Sequence, residues 1–204
     1  MMYISTYNNN GLDDVLMILF KKTNLQEQSY GRRNDTVTIR DKKTKEVVGV
    51  NVFNASTYLE GLTNGPVTLE GKNLEVVNQL LEEAGAEKTL TENTDPTFVV
   101  GHVKSCKPVE GSDHLNVTET EVDKGEVLQI VCGASNIAEG QKVVVAKVGA
   151  VMPDGLVIWP GELKGVKSEG MICSARELGL PQESSGIMVL DDSEPTGFPF
   201  QFKQ

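Results

Sequence analysis

The sequence predicts an α+β chain in two parts: a small α+β domain over residues 1–88 and, beyond a linker at 89–97, a strand-rich domain over 98–204. Three observations carry this prediction. Apolar residues recur at helical spacing near residues 12–20 and 73–84, with alternating apolar and polar segments between them. The stretch TLTENTDPT at 89–97 is polar, unperiodic and contains Asp95-Pro96. From Phe98 onward, short β-type runs and Gly, Asn and Asp turns follow one another quickly.

In the first part, residues 2–7 read as a short strand. Asn10 is placed to cap a helix with Leu12, Val15, Leu16, Leu19 and Phe20 on one stripe. Asp13 and Asp14 in its first turn and Lys21 and Lys22 in its last would complement the helix dipole. Residues 36–40 and 46–53 alternate as β segments around Asp41-Lys42-Lys43-Thr44-Lys45, which predicts a hairpin. Residues 73–84 carry Leu74, Val77, Leu80 and Leu81 at helical spacing and stop at Gly85.

In the second part, residues 98–106 form the first strand, and a loop spans 107–114. Residues 115–122 and 126–132 pair across Asp123-Lys124-Gly125, with Gly where a positive φ falls. Residues 142–148 and 156–159 are strands around Met152-Pro153-Asp154-Gly155. Residues 171–174 are the last strand, followed by a helical turn at 175–178 that Gly179 ends. Five or six short strands in ~80 residues fit a small closed barrel, which leaves no exposed sheet edge.

Composition narrows the function. No apolar run reaches the ~18 residues of a membrane span, and residues 1–7 lack a basic start followed by an apolar segment, so a cytoplasmic protein with no membrane partner is expected. Cys106, Cys132 and Cys173 form no CxxC pair, and only His102 and His114 accompany them, so no zinc site is expected. There is no Gly-rich phosphate loop, HExxH or Gly-x-Ser-x-Gly, so neither a cofactor nor catalysis is expected. The net charge of −10 opposes a broad nucleic-acid surface. Residues 1–95 hold 10 Lys+Arg against 14 Asp+Glu, and the remainder 9 against 15. An RNA site on this chain must therefore be a local basic patch.

The second part carries Ile130-Val131-Cys132-Gly133-Ala134-Ser135-Asn136, then Gly140-Gln141-Lys142-Val143-Val144-Val145-Ala146-Lys147-Val148-Gly149, and closes on Ser168-Glu169-Gly170-Met171-Ile172-Cys173-Ser174-Ala175-Arg176-Glu177-Leu178-Gly179. This order of motifs resembles the tRNA-binding OB-fold domain of the phenylalanyl-tRNA synthetase β subunit N-terminus, also found in some methionyl-tRNA synthetases and in stand-alone tRNA-binding proteins. The whole layout resembles the YtpR-type bacterial proteins. The resemblance implies a five-stranded OB-fold β-barrel and tRNA as partner; synthetase catalytic motifs are absent, so no aminoacylation is expected, and a homodimer is left open.

Candidate cations on such a barrel are Lys104, Lys107, Lys124, Lys142, Lys147, Lys164, Lys167 and Arg176, each of which, taken alone, reads first as a solvated surface charge. Lys164 and Lys167 lead because Gly165 between them lets backbone N–H groups approach a phosphate. Ser168 and Met171 fall in the Ser-x-x-Met region that the resemblance places on the RNA-facing surface, together with Ser174. On the residues alone, Ser168 caps a turn and Met171 fills the barrel end. Asn136 offers a loop amide able to read an unpaired base, or a turn-forming side chain. Trp159 and Phe98 are candidate stacking aromatics. The family's His-Pro-x-Ala-Asp-Lys-Leu-like loop is here Val109-Glu110-Gly111-Ser112-Asp113-His114-Leu115, with an acid at Glu110. Two other uses stay open: a barrel serving protein interaction, or a barrel delivering an enzymatic or ligand-binding first domain to RNA.

Overall fold

The computed structural model describes residues 2–123, 125–182 and 184–201. The chain divides between Thr94 and Asp95 into two compact units. Among the described residues it is mostly β, with one α-helix. In order, the first unit contains β1 (Ile4–Asn8), β2 (Val15–Leu19), β3 (Gln28–Arg33), β4 (Thr36–Asp41), β5 (Val47–Phe53), β6 (Gly65–Pro66) and α1 (Gly71–Glu83). The second contains β7 (Phe98–Pro108), β8 (Asn116–Asp123), β9 (Glu126–Cys132), β10 (Lys142–Lys147), β11 (Gly161–Leu163), β12 (Val166–Ser168), β13 (Gly170–Ile172) and β14 (Val189–Leu190).

The first unit is a six-stranded sheet, order β3-β4-β5-β2-β1-β6, with α1 on one face. The helix expected after Asn10 is instead β2, an inner strand paired with both β1 and β5. Val15-Leu16-Met17-Ile18-Leu19 is apolar without interruption, and as an inner strand bonded along both edges it buries Val15, Leu16 and Ile18 and half-buries Met17. Upstream, Asp13 and Asp14 stand at φ of 49° and 61°, outside right-handed helix space. The Asp14 carboxylate takes hydrogen bonds from the Tyr7 hydroxyl at 2.9 Å and the Ser56 hydroxyl at 2.7 Å. The Ser56 bonds and the Tyr7 bond outweigh burial and lower its pKa.

Leu16, Ile18, Val50 and Val52 face Val77 and Leu81 of α1 in the first unit's core. Beyond the helix, Gly85 takes φ +66°, and Ala86 N–H reaches back to Leu81 O at 2.9 Å. Arg33 and Arg40 donate to the carbonyls of Glu83 and Gly85 at 2.5 and 2.7 Å, where cations suit a helix C-terminus. Leu90, within the stretch read as linker, is 2% exposed in this core. Asn78 clamps its backbone with two hydrogen bonds, of 2.7 and 3.0 Å.

In the second unit the sheet path is β13-β10-β7-β8-β9, with β14 also on β10. β10 is buried on both faces, Val143 and Val145 in one cluster and Val144 and Ala146 in another. Close packing across β7 requires Gly101, where a Cβ would lie 2.5 Å from Val145 Cγ2 and 2.9 Å from Thr120 Cγ2. The end strands of the path approach each other: Glu169 N–H donates to Gln129 O at 2.8 Å. Residues 156–159, expected as a strand, supply only an isolated bridge between Val151 and Val157. The expected helical turn at 175–178 is a hydrogen-bonded turn closed by Gly179 at φ +70°. Residues 197–200 run along β7, with Gly197 N–H to Val100 O at 2.8 Å and Phe200 N–H to Phe98 O at 2.9 Å.

Candidate nucleic-acid interface

The outer surface of β8 follows from its alternation. Thr118, Thr120 and Val122 are buried, so Glu119, Glu121 and Asp123 point away from the core. On β7, Ser105 donates to Glu119 at 2.9 Å, and Lys104 pairs with Glu121 at 3.5 Å. The middle of this face is therefore acidic, which repels phosphate. The Thr-Glu-Thr-Glu run at 118–121 carried that signal in the sequence, because period-two alternation puts both acids on one face.

At one end of these strands three segments converge. The loop 109–115 is anchored by Val109 and Leu115, which pack with Val131 of β9. Val109 N–H donates to Leu115 O at 2.9 Å. This leaves Glu110, Asp113 and His114 at the surface. The hairpin β11–β12 packs Val166 against the same cluster, and the Lys167 carbonyl accepts from Gln129 Nε2 at 2.8 Å. Lys164 and Gly165, both at positive φ (50° and 78°), form its tip. The hairpin presents Lys164 and Lys167 as exposed side chains, with Glu162 registered opposite Lys167. The third segment begins at Gly133, where a Cβ would lie 3.3 Å from the Leu115 side chain.

The remaining candidates separate by environment. Ser168 is 5% exposed; its hydroxyl accepts from Val131 N–H and donates to Gly170 O, each at 3.1 Å. Asn136 spends both ends of its amide on the Ile187 backbone. Met171 is half-buried against the cluster of Val144, Ala146 and Cys173. Ser174 N–H and Oγ both donate to Glu177 at 2.7 Å, capping the following turn. Arg176 on that turn is exposed. Asn136 and Ala175 line a cleft of about 350 Å³ with Pro181, Gln182, Ile187 and Met188. Lys142 donates to Thr196 Oγ1. Trp159 is half-buried, and Phe98 packs on a core cluster. Lys124 lies outside the described residues.

Burial pushes the Cys132 thiol up, and pushes that of Cys173 up to about 12. Burial, then the charge of Glu139, raises that of Cys106. Among the described residues no group of three His, Cys, Asp or Glu side chains is placed to hold a metal, and no helix is long and apolar enough to cross a membrane.

Residues 98–199 match the family model described as "Putative tRNA binding domain", and the chain belongs to that family. Over 198 residues it is 48% identical to the "Putative tRNA-binding protein YtpR" of Bacillus subtilis (strain 168), covering 96% of this chain and 98% of that protein. Residues 23–93 match a second model, described as a domain of unknown function (DUF4479). The phenylalanine–tRNA ligase β subunits of Chromobacterium violaceum and Nitratidesulfovibrio vulgaris are 42% identical over 128 residues and 54% over 96. Those alignments take in 61% and 47% of this chain but only 16% and 12% of the ligase subunits.

Proposed function

We propose that this chain is a cytoplasmic, non-catalytic tRNA-binding protein whose second unit is a five-stranded OB-fold barrel gripping structured RNA. One observation carries the reading: a relative named as tRNA-binding is 48% identical across nearly the whole of both chains. The barrel reading is supported by the five-strand path whose end strands are joined through Glu169 and Gln129. In this reading residues 1–88 and 98–204 are the two domains. Lys164, Lys167 and Arg176 are the contacts to phosphate, because they are exposed on the hairpin and turn that flank the last barrel strand. Lys142, Ser168, Met171, Ser174 and Asn136 shape the surface between them through the bonds and packing given above. The acidic centre of β8 confines phosphate to the rim, so binding selects shape over charge.

A salt series of tRNA binding by the full chain tests this. Few phosphate contacts give a log–log slope of magnitude ~2–4. Changing Lys164 and Lys167 together to Ala weakens different tRNAs about equally and lowers the slope. Absent or salt-independent binding overturns the reading.

A further inference from the structure

The six-stranded sheet of the first unit carries its helix on one face. On the opposite face Val37, Ile39, Met17, Asn51 and Phe53 are half-buried, while Val15 and Ile4, on the same face toward β1, are buried. At its β3 edge, Tyr30 projects 83% exposed, registered opposite Ile39. Arg32 lies on the same side of β3, its guanidinium carbon 4.9 Å from the centre of the Phe53 ring. A largely apolar sheet face bearing an exposed phenol and an Arg-stacked ring matches what base stacking needs: π-faces held in place, with a cation beside them.

Charge selects the occupant. Residues 21–45, which include β3 and β4, hold 8 Lys+Arg against 3 Asp+Glu, whereas residues 46–94, which include α1, hold 2 against 8. The segment with β3 and β4 is basic and that with the helix acidic, although Arg33 and Arg40 turn to the helix end and Lys21, Arg32 and Lys43 pair with Glu46, Asp35 and Glu27. A polyanion is attracted to the first side and repelled by the second.

We propose that the open face of the first unit's sheet binds unpaired nucleotides of RNA, with Tyr30 and the Arg32–Phe53 pair as its stacking surface. The inference rests on the tRNA-binding reading for its choice of RNA, and it gives the first unit a role of its own. Unpaired nucleotides fit because stacking on side chains needs bases released from a helix. Phosphates between stacked bases then lie toward the basic edge.

The test uses the full chain and a fluorescein-labelled single-stranded RNA of about ten nucleotides, within the site sizes such surfaces cover. Tyr30→Ser and Arg32→Gln each weaken its binding about fivefold or more, on the scale of one lost stacking contact. The exposure of Tyr30 makes its change harmless to folding, which melting curves check. Ultraviolet cross-linking places an adduct on the tryptic peptide 23–32. A Lys72→Ala control on α1, on the other face of the sheet, binds the oligonucleotide as the parent does. Parental affinity in both Tyr30→Ser and Arg32→Gln, with no adduct on 23–32, overturns the inference. So does self-association of the chain relieved by Tyr30→Ser with RNA binding unchanged. A chain that binds the oligonucleotide through Tyr30 but no tRNA at any salt overturns the tRNA reading and leaves this one standing.

Discussion

Asn136 holds Ile187 at both ends of one amide: Nδ2 donates to the Ile187 carbonyl at 3.0 Å, and Oδ1 accepts the Ile187 N–H at 2.9 Å. The side chain thus imitates a strand partner for a segment 51 residues away. Asn136→Ala strands both backbone groups and costs about 1–3 kcal/mol. Trp159 is the one tryptophan of the chain and lies in the second unit, so its fluorescence in a urea titration reports that unit's unfolding. A variant that keeps its stability and loses tRNA affinity would mean the amide reads RNA instead.

Gly101→Ala drives a methyl into Val145 and Thr120, both fully buried. Overpacking of this kind costs about 1–3 kcal/mol. The same tryptophan-monitored transition moves to lower urea, while a helix-unfolding signal from the first unit stays in place.

How much of this was legible in the sequence depends on how far the deciding contact lies along the chain. α1 and the β4–β5 hairpin were readable because their periods are local. The spacing of Leu12, Val15, Leu16, Leu19 and Phe20 also fits a helix, but Val15–Leu19 became an inner strand once β1 and β5 closed on it. β3 gave no apolar alternation, since Gln28–Arg33 is a polar edge. In the candidate interface, position was readable and partnership was not. Ser168 and Asn136 bond to backbone 37 and 51 residues away, and nothing local announces that.

The three thiols differ in access. Cys106 is half-buried, and Cys132 and Cys173 are buried. A thiol-reactive dye at pH 8 labels Cys106 first in the native protein and Cys173 only on unfolding. The pKa of Cys173 rises from 9.0 to about 12 on folding, so the folded state favours its neutral form. Its contribution to stability is complete below pH 9 and is lost as pH climbs from 9 toward 12. Cys173→Ser shifts this alkaline unfolding limb; an unchanged limb would assign it to other groups.

Glu110 stands exposed on the loop 109–115, beside Asp113 and at the end of the strands where the β11–β12 hairpin converges. Repulsion of a phosphate there is on the order of 1 kcal/mol when partly screened. Glu110→Lys tightens tRNA binding roughly tenfold at low salt, and the gain fades as salt rises. An affinity unchanged at every salt concentration would place the loop away from RNA and favour a protein-interaction role for the barrel.

The run of residues 197–200 along β7 has a consequence for synthesis. Val99 and Val100 leave the ribosome about a hundred residues before the segment that covers their edge. At ~5–20 residues per second, that edge stands open for several seconds on every nascent chain. During that interval it can template pairing with a neighbouring chain. Final closure of the second unit is thus a late, long-range event, and the order of translation, more than the strength of any one contact, sets when this protein is safe from aggregation.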